Sequence, residues 1–181
     1  MGKIVVTEFV SLDGVMEDPG GAENFKYGGW TFEFDRGEGD KFKFDETMAT
    51  DALLLGRVTY EGFAAAWPSR EGEFAAKFNS MPKYVVSSTL KDPTWNNTTV
   101  VALDDVGKLR DEHDTIAVHG SATLAQALIE RDLVDRLHLM VFPVVLGAGK
   151  RLFGETSAKK PLRLADSKTV GDGVAILVYE R

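Results

Sequence analysis

Apolar residues fall along this chain in short runs separated by glycines and polar turns, and the spacing inside each run predicts its secondary structure. Ile4, Val5, Val6, Phe9 and Val10 mark a buried strand over Lys3 to Val10. Short apolar runs at Ala52 to Leu55, Lys83 to Ser88, Thr98 to Ala102, Thr115 to Val118 and Leu137 to Val145 read the same way. Pro143 places the end of the last run at an edge or bulge, because it offers no N–H to a neighbouring strand. Leu162 to Val170 and Val174 to Tyr179 flank Gly171-Asp172-Gly173, the turn chemistry of an antiparallel hairpin.

The intervening segments follow helical spacing. Glu38 to Thr50 reads as a helix with Phe42 and Met48 near its apolar side, and Arg57 to Trp67 as a helix ended by Pro68. Glu71 to Met81 carries Phe74 and Phe78 at i and i+4, and Asp104 caps a short helix bearing Val106 and Leu109. A last helix starts at Ser121, with Leu124, Ala125, Leu128 and Ile129 on one face. Strands alternating with helices, then a hairpin, predict an α/β fold: one mixed sheet covered by helices on both faces. Ser11 to Asp35 is a long glycine-rich segment with interleaved aromatics, which predicts a functional loop that packs over something.

Composition narrows the function. The 181 residues suit a single domain over residues 1–181, and 44% hydrophobic with 27% charged residues is ordinary for a globular protein. A net charge of −7 without a basic block argues against nucleic acid as a partner. The absence of cysteine excludes disulfides, thiolate zinc sites and cysteine nucleophiles. Neither a signal peptide nor a membrane-length apolar run is visible, so a cytoplasmic protein with no membrane partner is expected. His113, His119 and His138 lack metal-ligand spacing and read as structural or surface residues; no metal is expected.

In sheets of this kind ligands sit beyond the C-terminal strand ends. Those ends carry Ser11 to Gly14, Gly56 to Thr59, Ser87 to Thr89, Gly120 to Thr123 and Pro143 to Gly149. At Gly56-Arg57-Val58-Thr59 a strand turns into a helix, where free N–H groups, an arginine fork and a hydroxyl suit a phosphate. Gly120-Ser121-Ala122-Thr123 repeats that joint, with Ser121 as cap, and Ser87-Ser88-Thr89 offers hydroxyls to another phosphate or a ribose. Together they suit a dinucleotide bearing an additional phosphate. Leu146-Gly147 belongs to a loop lining the crevice. Gly147-Ala148-Gly149-Lys150 fails both the dinucleotide and the Walker spacing. Asp13 and Glu17 lie where the first strand ends, so either could face a substrate.

Four motifs in order across nearly the whole chain resemble the dihydrofolate-reductase-like superfamily, and within it the reductase half of bacterial riboflavin-biosynthesis deaminase-reductases. They are Ser11-Leu12-Asp13-Gly14, Leu55-Gly56-Arg57-x-Thr59-Tyr60-Glu61, Gly120-Ser121-Ala122-Thr123-Leu124, and Pro143 to Phe153. The resemblance implies a mixed, mostly parallel sheet of about eight strands, bound NADPH, hydride transfer and a homodimer. By position Gly56, Arg57 and Thr59 would hold cofactor phosphates, Ser87 and Ser88 the adenosine side, and Gly120, Ser121, Ala122 and Thr123 the pyrophosphate and nicotinamide side. Ser11, Asp13, Gly14, Leu146 and Gly147 would line the substrate, Asp13 orienting it or relaying a proton, with the glycine-rich loop as a lid. The deaminase half is absent. The carboxylate that holds a pterin in dihydrofolate reductase has Asp35, Glu38, Asp40 and Asp45 as competing counterparts. The expected activity is NADPH-dependent reduction of a small heterocycle, pterin-like or pyrimidine-like, or of a ribose-linked substrate. The alternative is a non-catalytic NADP(H)-binding protein.

Overall fold

The computed structural model describes all 181 residues. The apolar runs form eight strands: β1 (Lys3–Ser11), β2 (Ala52–Gly56), β3 (Lys83–Val86), β4 (Thr98–Val101), β5 (Thr115–Val118), β6 (Arg136–Phe142), β7 (Arg163–Val170) and β8 (Val174–Glu180). They lie in one sheet in the order β4-β3-β2-β5-β1-β6-β8-β7. Neighbours from β4 to β6 are parallel, and β8 pairs antiparallel with both β6 and β7. β6 stops at Phe142 because Pro143 cannot donate to the ladder, and the strand-like Val144 and Val145 pass into a loop.

Four α-helices cover the sheet: α1 (Gly39–Met48), α2 (Arg57–Ala66), α3 (Glu73–Ser80) and α4 (Ala122–Glu130). Side-chain alternation assigns the faces. Ile4, Val6 and Val10 of β1 join Leu54, Ile116 and Val118 in a core closed by Leu124, Ala125 and Leu128 of α4. On the other face Leu53, Leu55 and Ala117 pack against Tyr60, Phe78 and Trp95. Further along that face Met140, Phe142 and Ile176 pack with Trp30. No helix is long and apolar enough to cross a membrane.

Three local expectations change. The segment opening at Leu103 is a 3-10 helix over Leu103–Asp111, and Asp104 pairs with Arg131 at 2.6 Å instead of capping it. The side of α1 turned to the sheet is polar: Lys43, Glu46 and Thr47 face inward, followed by buried Thr50 just past the helix, with Phe42 packing at its margin. The expected lid is anchored at its far end, where Trp30 is buried edge-on to Phe142 at 5.5 Å and donates its indole N–H to the Glu17 carbonyl. Thr31 adds a hydroxyl bond to the Pro19 carbonyl.

One cation is buried in the scaffold. Lys83 donates to the carbonyls of Asn79 (2.8 Å), Met81 (2.9 Å) and Asn96 (2.7 Å), and sits over the Trp95 ring. It thereby satisfies carbonyls at the chain turns, of which Asn79 also receives the Asn96 side-chain amide. Burial pushes its ammonium down to about 8.

Candidate active site

The parallel pairing brings the C-terminal ends of β1, β2, β3 and β5 side by side. Gly56 ends β2 and caps α2 without a side-chain bond, leaving the first N–H groups of that helix free. A β-carbon on Gly56 would stand 2.6 Å from Ser121 Oγ, and one on Gly120 would overlap Thr59 Oγ1. The two strand-to-helix joints are therefore packed against each other, and glycine is required at both. Gly120 also has φ +52°, a left-handed conformation that costs other residues about 1 kcal/mol or more. The Gly120–Ser121 peptide is cis. Ser121 Oγ accepts the Leu124 N–H at 3.3 Å, so the expected cap is present.

The two helices starting here differ from the rest. α1, α3 and the 3-10 helices at Trp30–Glu33 and Leu103–Asp111 each carry an acidic side chain in the first turn; α2 and α4 carry none. An acid there would satisfy the helix dipole and repel an anion, so its omission at these two starts leaves both open to phosphate. Arg57, half exposed, reaches from α2 to Glu61 at 2.9 Å and to the Thr89 hydroxyl. Ser87 accepts the N–H groups of Thr89 and Leu90, shaping that turn. Ser88 is exposed and makes no side-chain bond, and Thr123 is exposed at the start of α4 beside buried Ala122.

Asp13 does something other than face the crevice. Its carboxylate accepts the Ser11 hydroxyl (2.5 Å) and the N–H groups of Leu146 (3.1 Å) and Gly147 (2.8 Å), and lies 3.5 Å from Arg151. These bonds, the Ser11 hydroxyl foremost, hold it at about 2. An ionised group with its lone pairs engaged ties the 144–151 loop to the end of β1; it has no proton to give. Gly14 and Gly147, both at positive φ, form the two turns that Asp13 joins. Leu146 packs partly on the Phe142 cluster, and Glu17 receives the Lys150 N–H in the same seam.

Three acid–base groups stand in the crevice region that the motifs did not mark. Glu46 of α1 lies 2.7 Å from Lys43, accepts the Thr7 hydroxyl and sits 2.6 Å from His138 Nδ1. Burial pushes its carboxyl up, but Lys43 and then His138 pull it down to about 2. None of Asp35, Glu38, Asp40 or Asp45 is placed so; Glu46 is the α1 carboxylate that meets the sheet. His119 packs between Phe63 and Phe78, and burial lowers its imidazole to about 3, so it is neutral. Glu8, on β1, accepts the Gly120 N–H at 2.7 Å. Strand alternation marks it in the sequence, for it shares the core-facing parity of Val6 and Val10.

The comparisons with known proteins agree with this architecture. The family described as the RibD C-terminal domain matches residues 2–176. The chain belongs to that family. Among relatives, the uncharacterized protein YwjB of Bacillus subtilis (strain 168) is 29% identical over 178 residues, covering 96% of this chain and 95% of its own length. A crystal structure of a Shewanella sp. PV-4 protein named for riboflavin biosynthesis superposes with TM-score 0.79 at 22% identity, over 99% of this chain and 98% of that one. Dihydrofolate reductase from Enterococcus faecalis, solved with NADP(H), superposes with TM-score 0.60 at 15% identity, over 99% and 96%. At these identities the superpositions establish a dihydrofolate-reductase-like fold.

Proposed function

We propose that this protein is an NADPH-dependent reductase of a small heterocycle, pterin-like or pyrimidine-like, or of a ribose-linked substrate. The observation that carries the proposal is the pairing of two acid-free helix starts, α2 and α4, through interlocked Gly56, Thr59, Gly120 and Ser121. In a RibD C-terminal domain, two adjacent anion sites at parallel strand ends suit the phosphates of a dinucleotide. The NADP(H) in the Enterococcus dihydrofolate reductase structure supports that choice of nucleotide.

In this reading Gly56, Arg57 and Thr59 hold phosphate, Arg57 by its fork and Thr59 by its hydroxyl. Ser87 and Ser88 border the adenosine side, and Gly120 to Thr123 seat the pyrophosphate and the nicotinamide. When bound, a reduced nicotinamide supplies the hydride. The chain orients it: Ser11, Gly14, Leu146 and Gly147 line the substrate side, and Asp13 fixes their spacing. β7 is exposed along its length except at Val170, and that bare edge is the surface we assign to the homodimer. The proposed location is the cytoplasm, with no membrane or nucleic-acid partner.

The test is NADPH oxidation by the purified protein against a panel of oxidised pterins, pyrimidines and ribosylated pyrimidines. Turnover of at least one compound, abolished by Gly120→Ala, supports the assignment. NADPH binding without oxidation of any compound instead indicates a non-catalytic NADP(H)-binding protein.

A further inference from the structure

Three carboxyl groups border the crevice, and their surroundings divide them. Asp13 is ionised and spent on two backbone N–H groups and a hydroxyl. Glu46 is ionised and paired with Lys43 and His138. Glu8 is different in both placement and partners. It stands two residues beyond Val6, the last β1 residue paired with β5, and its Oε1 takes the Gly120 N–H that a backbone carbonyl would otherwise meet. The side chain thus ends the β1–β5 ladder at the joint where α4 begins. Its Oε2 has no hydrogen-bond partner in the protein. A ligand resting on the Gly120–Ser121 joint would lie beside this carboxyl.

We infer that Glu8 is the proton donor of the site, a role that rests on the reductase reading above. Reduction of a C=N or C=O bond needs a hydride at carbon and a proton at the heteroatom. The hydride, with its two electrons, would reach that carbon from the reduced nicotinamide that Gly120 to Thr123 would seat, leaving the nucleotide oxidised. The O–H bond at Glu8 Oε2 breaks, its proton forms the new N–H or O–H bond, and the carboxylate is reprotonated from solvent. Desolvation favours the acid form, while the Gly120 N–H and Lys43 oppose it and Glu46 adds repulsion; the carboxyl is pushed up to about 8. The charged groups that act on it are Lys43, which favours the carboxylate, and Glu46, which opposes it, both from α1; His138 of β6 pairs with Glu46, and His119 directly precedes Gly120. His119 is neutral, so it supplies no competing proton at neutral pH. Placing one protonated carboxyl beside ionised ones is how a site separates acid from anion roles.

The experiment compares wild type with Glu8→Gln, which keeps an oxygen for the Gly120 N–H and has nearly the same shape. Three quantities are read: the 13C carboxyl titration of the glutamates, NADPH affinity from tryptophan quenching, and the pH profile of NADPH oxidation with the panel compound turned over fastest. The expected result is one glutamate carboxyl titrating near 8 in wild type and missing in Glu8→Gln. NADPH affinity should change less than threefold at pH 7, while kcat falls about 100-fold or more. The wild-type rate should also decline above about pH 8, and the variant should lack that limb. If Glu8→Gln keeps the rate and the alkaline limb, or no glutamate titrates near 8, the inference is overturned while the reductase reading stands. If wild type oxidises NADPH with no compound, the reductase reading falls and Glu8 loses the role with it.

Discussion

Replacing Asp13 separates a structural tie from a catalytic group. Asp13→Ala removes the acceptor for the Ser11 hydroxyl and for the Leu146 and Gly147 N–H groups. These are partly solvated, so each is worth about 0.5–1 kcal/mol, and the total loss at pH 7 should be about 2 kcal/mol. There is also a pH signature. The carboxyl sits at about 2 in the folded protein against 3.8 ordinarily. Because the folded value is the lower one, the stabilisation is complete above about pH 4 and disappears as pH falls toward 2. Roughly two units at about 1.4 kcal/mol each, discounted by about half for solvent screening, leave about 1 kcal/mol in that window. Urea unfolding at pH 7 and at pH 3 measures both effects. Because pH 3 still lies about one unit above the folded value, only about half of that is lost there, and wild type should lose about 0.5 kcal/mol more than Asp13→Ala between the two conditions. A variant within 0.5 kcal/mol of wild type at pH 7 would refute the tie. So would Asp13→Asn that keeps full stability yet abolishes turnover, because that pattern belongs to a group acting on substrate.

Other outcomes follow from the same geometry. Arg57→Ala removes an exposed fork and should leave the urea midpoint unchanged while weakening NADPH about 10- to 100-fold, the value of one or two charge-assisted hydrogen bonds. Gly120→Ala should cost about 1–3 kcal/mol of stability through its positive φ and the overlap with Thr59, and should lower NADPH affinity at least tenfold. Lys83→Met should destabilise by about 2 kcal/mol, since the buried Met81 carbonyl loses its donor and the part-buried Asn79 and Asn96 carbonyls each lose a charged one. Lys83 binds its proton less tightly folded than unfolded, so its contribution makes stability rise with pH from about 8 toward 10.5, and Lys83→Met should lack that rise.

The sheet was legible because its strands are apolar runs bounded by glycine and proline, a pattern that survives without tertiary information. The joints at Gly56 and Gly120 were legible for the same reason: a strand that turns into a helix through glycine announces its own geometry. Their interlocking was not, since residues 56 and 121 meet only through the pairing of β2 with β5. Asp13 was visible as a polar residue at a strand end, but the two N–H groups it ties down lie more than 130 residues away in the 144–151 loop. Glu46 escaped because helical patterning looks for apolar stripes, and the stripe that α1 turns inward is polar. Glu8 escaped although alternation pointed to it: a carboxyl between Val6 and Val10 on the core-facing parity of a central strand is an anomaly with a physical cost. The anchoring of Trp30 depends on Phe142, across the sheet, and no local rule reaches it.

Calorimetric titration of the purified protein with NADPH and with NADH tests the central claim most directly. One NADPH should bind per chain, with NADH at least tenfold weaker and Gly120→Ala impaired for both. Failure of either nucleotide to bind would leave the fold intact and contradict the function assigned to it.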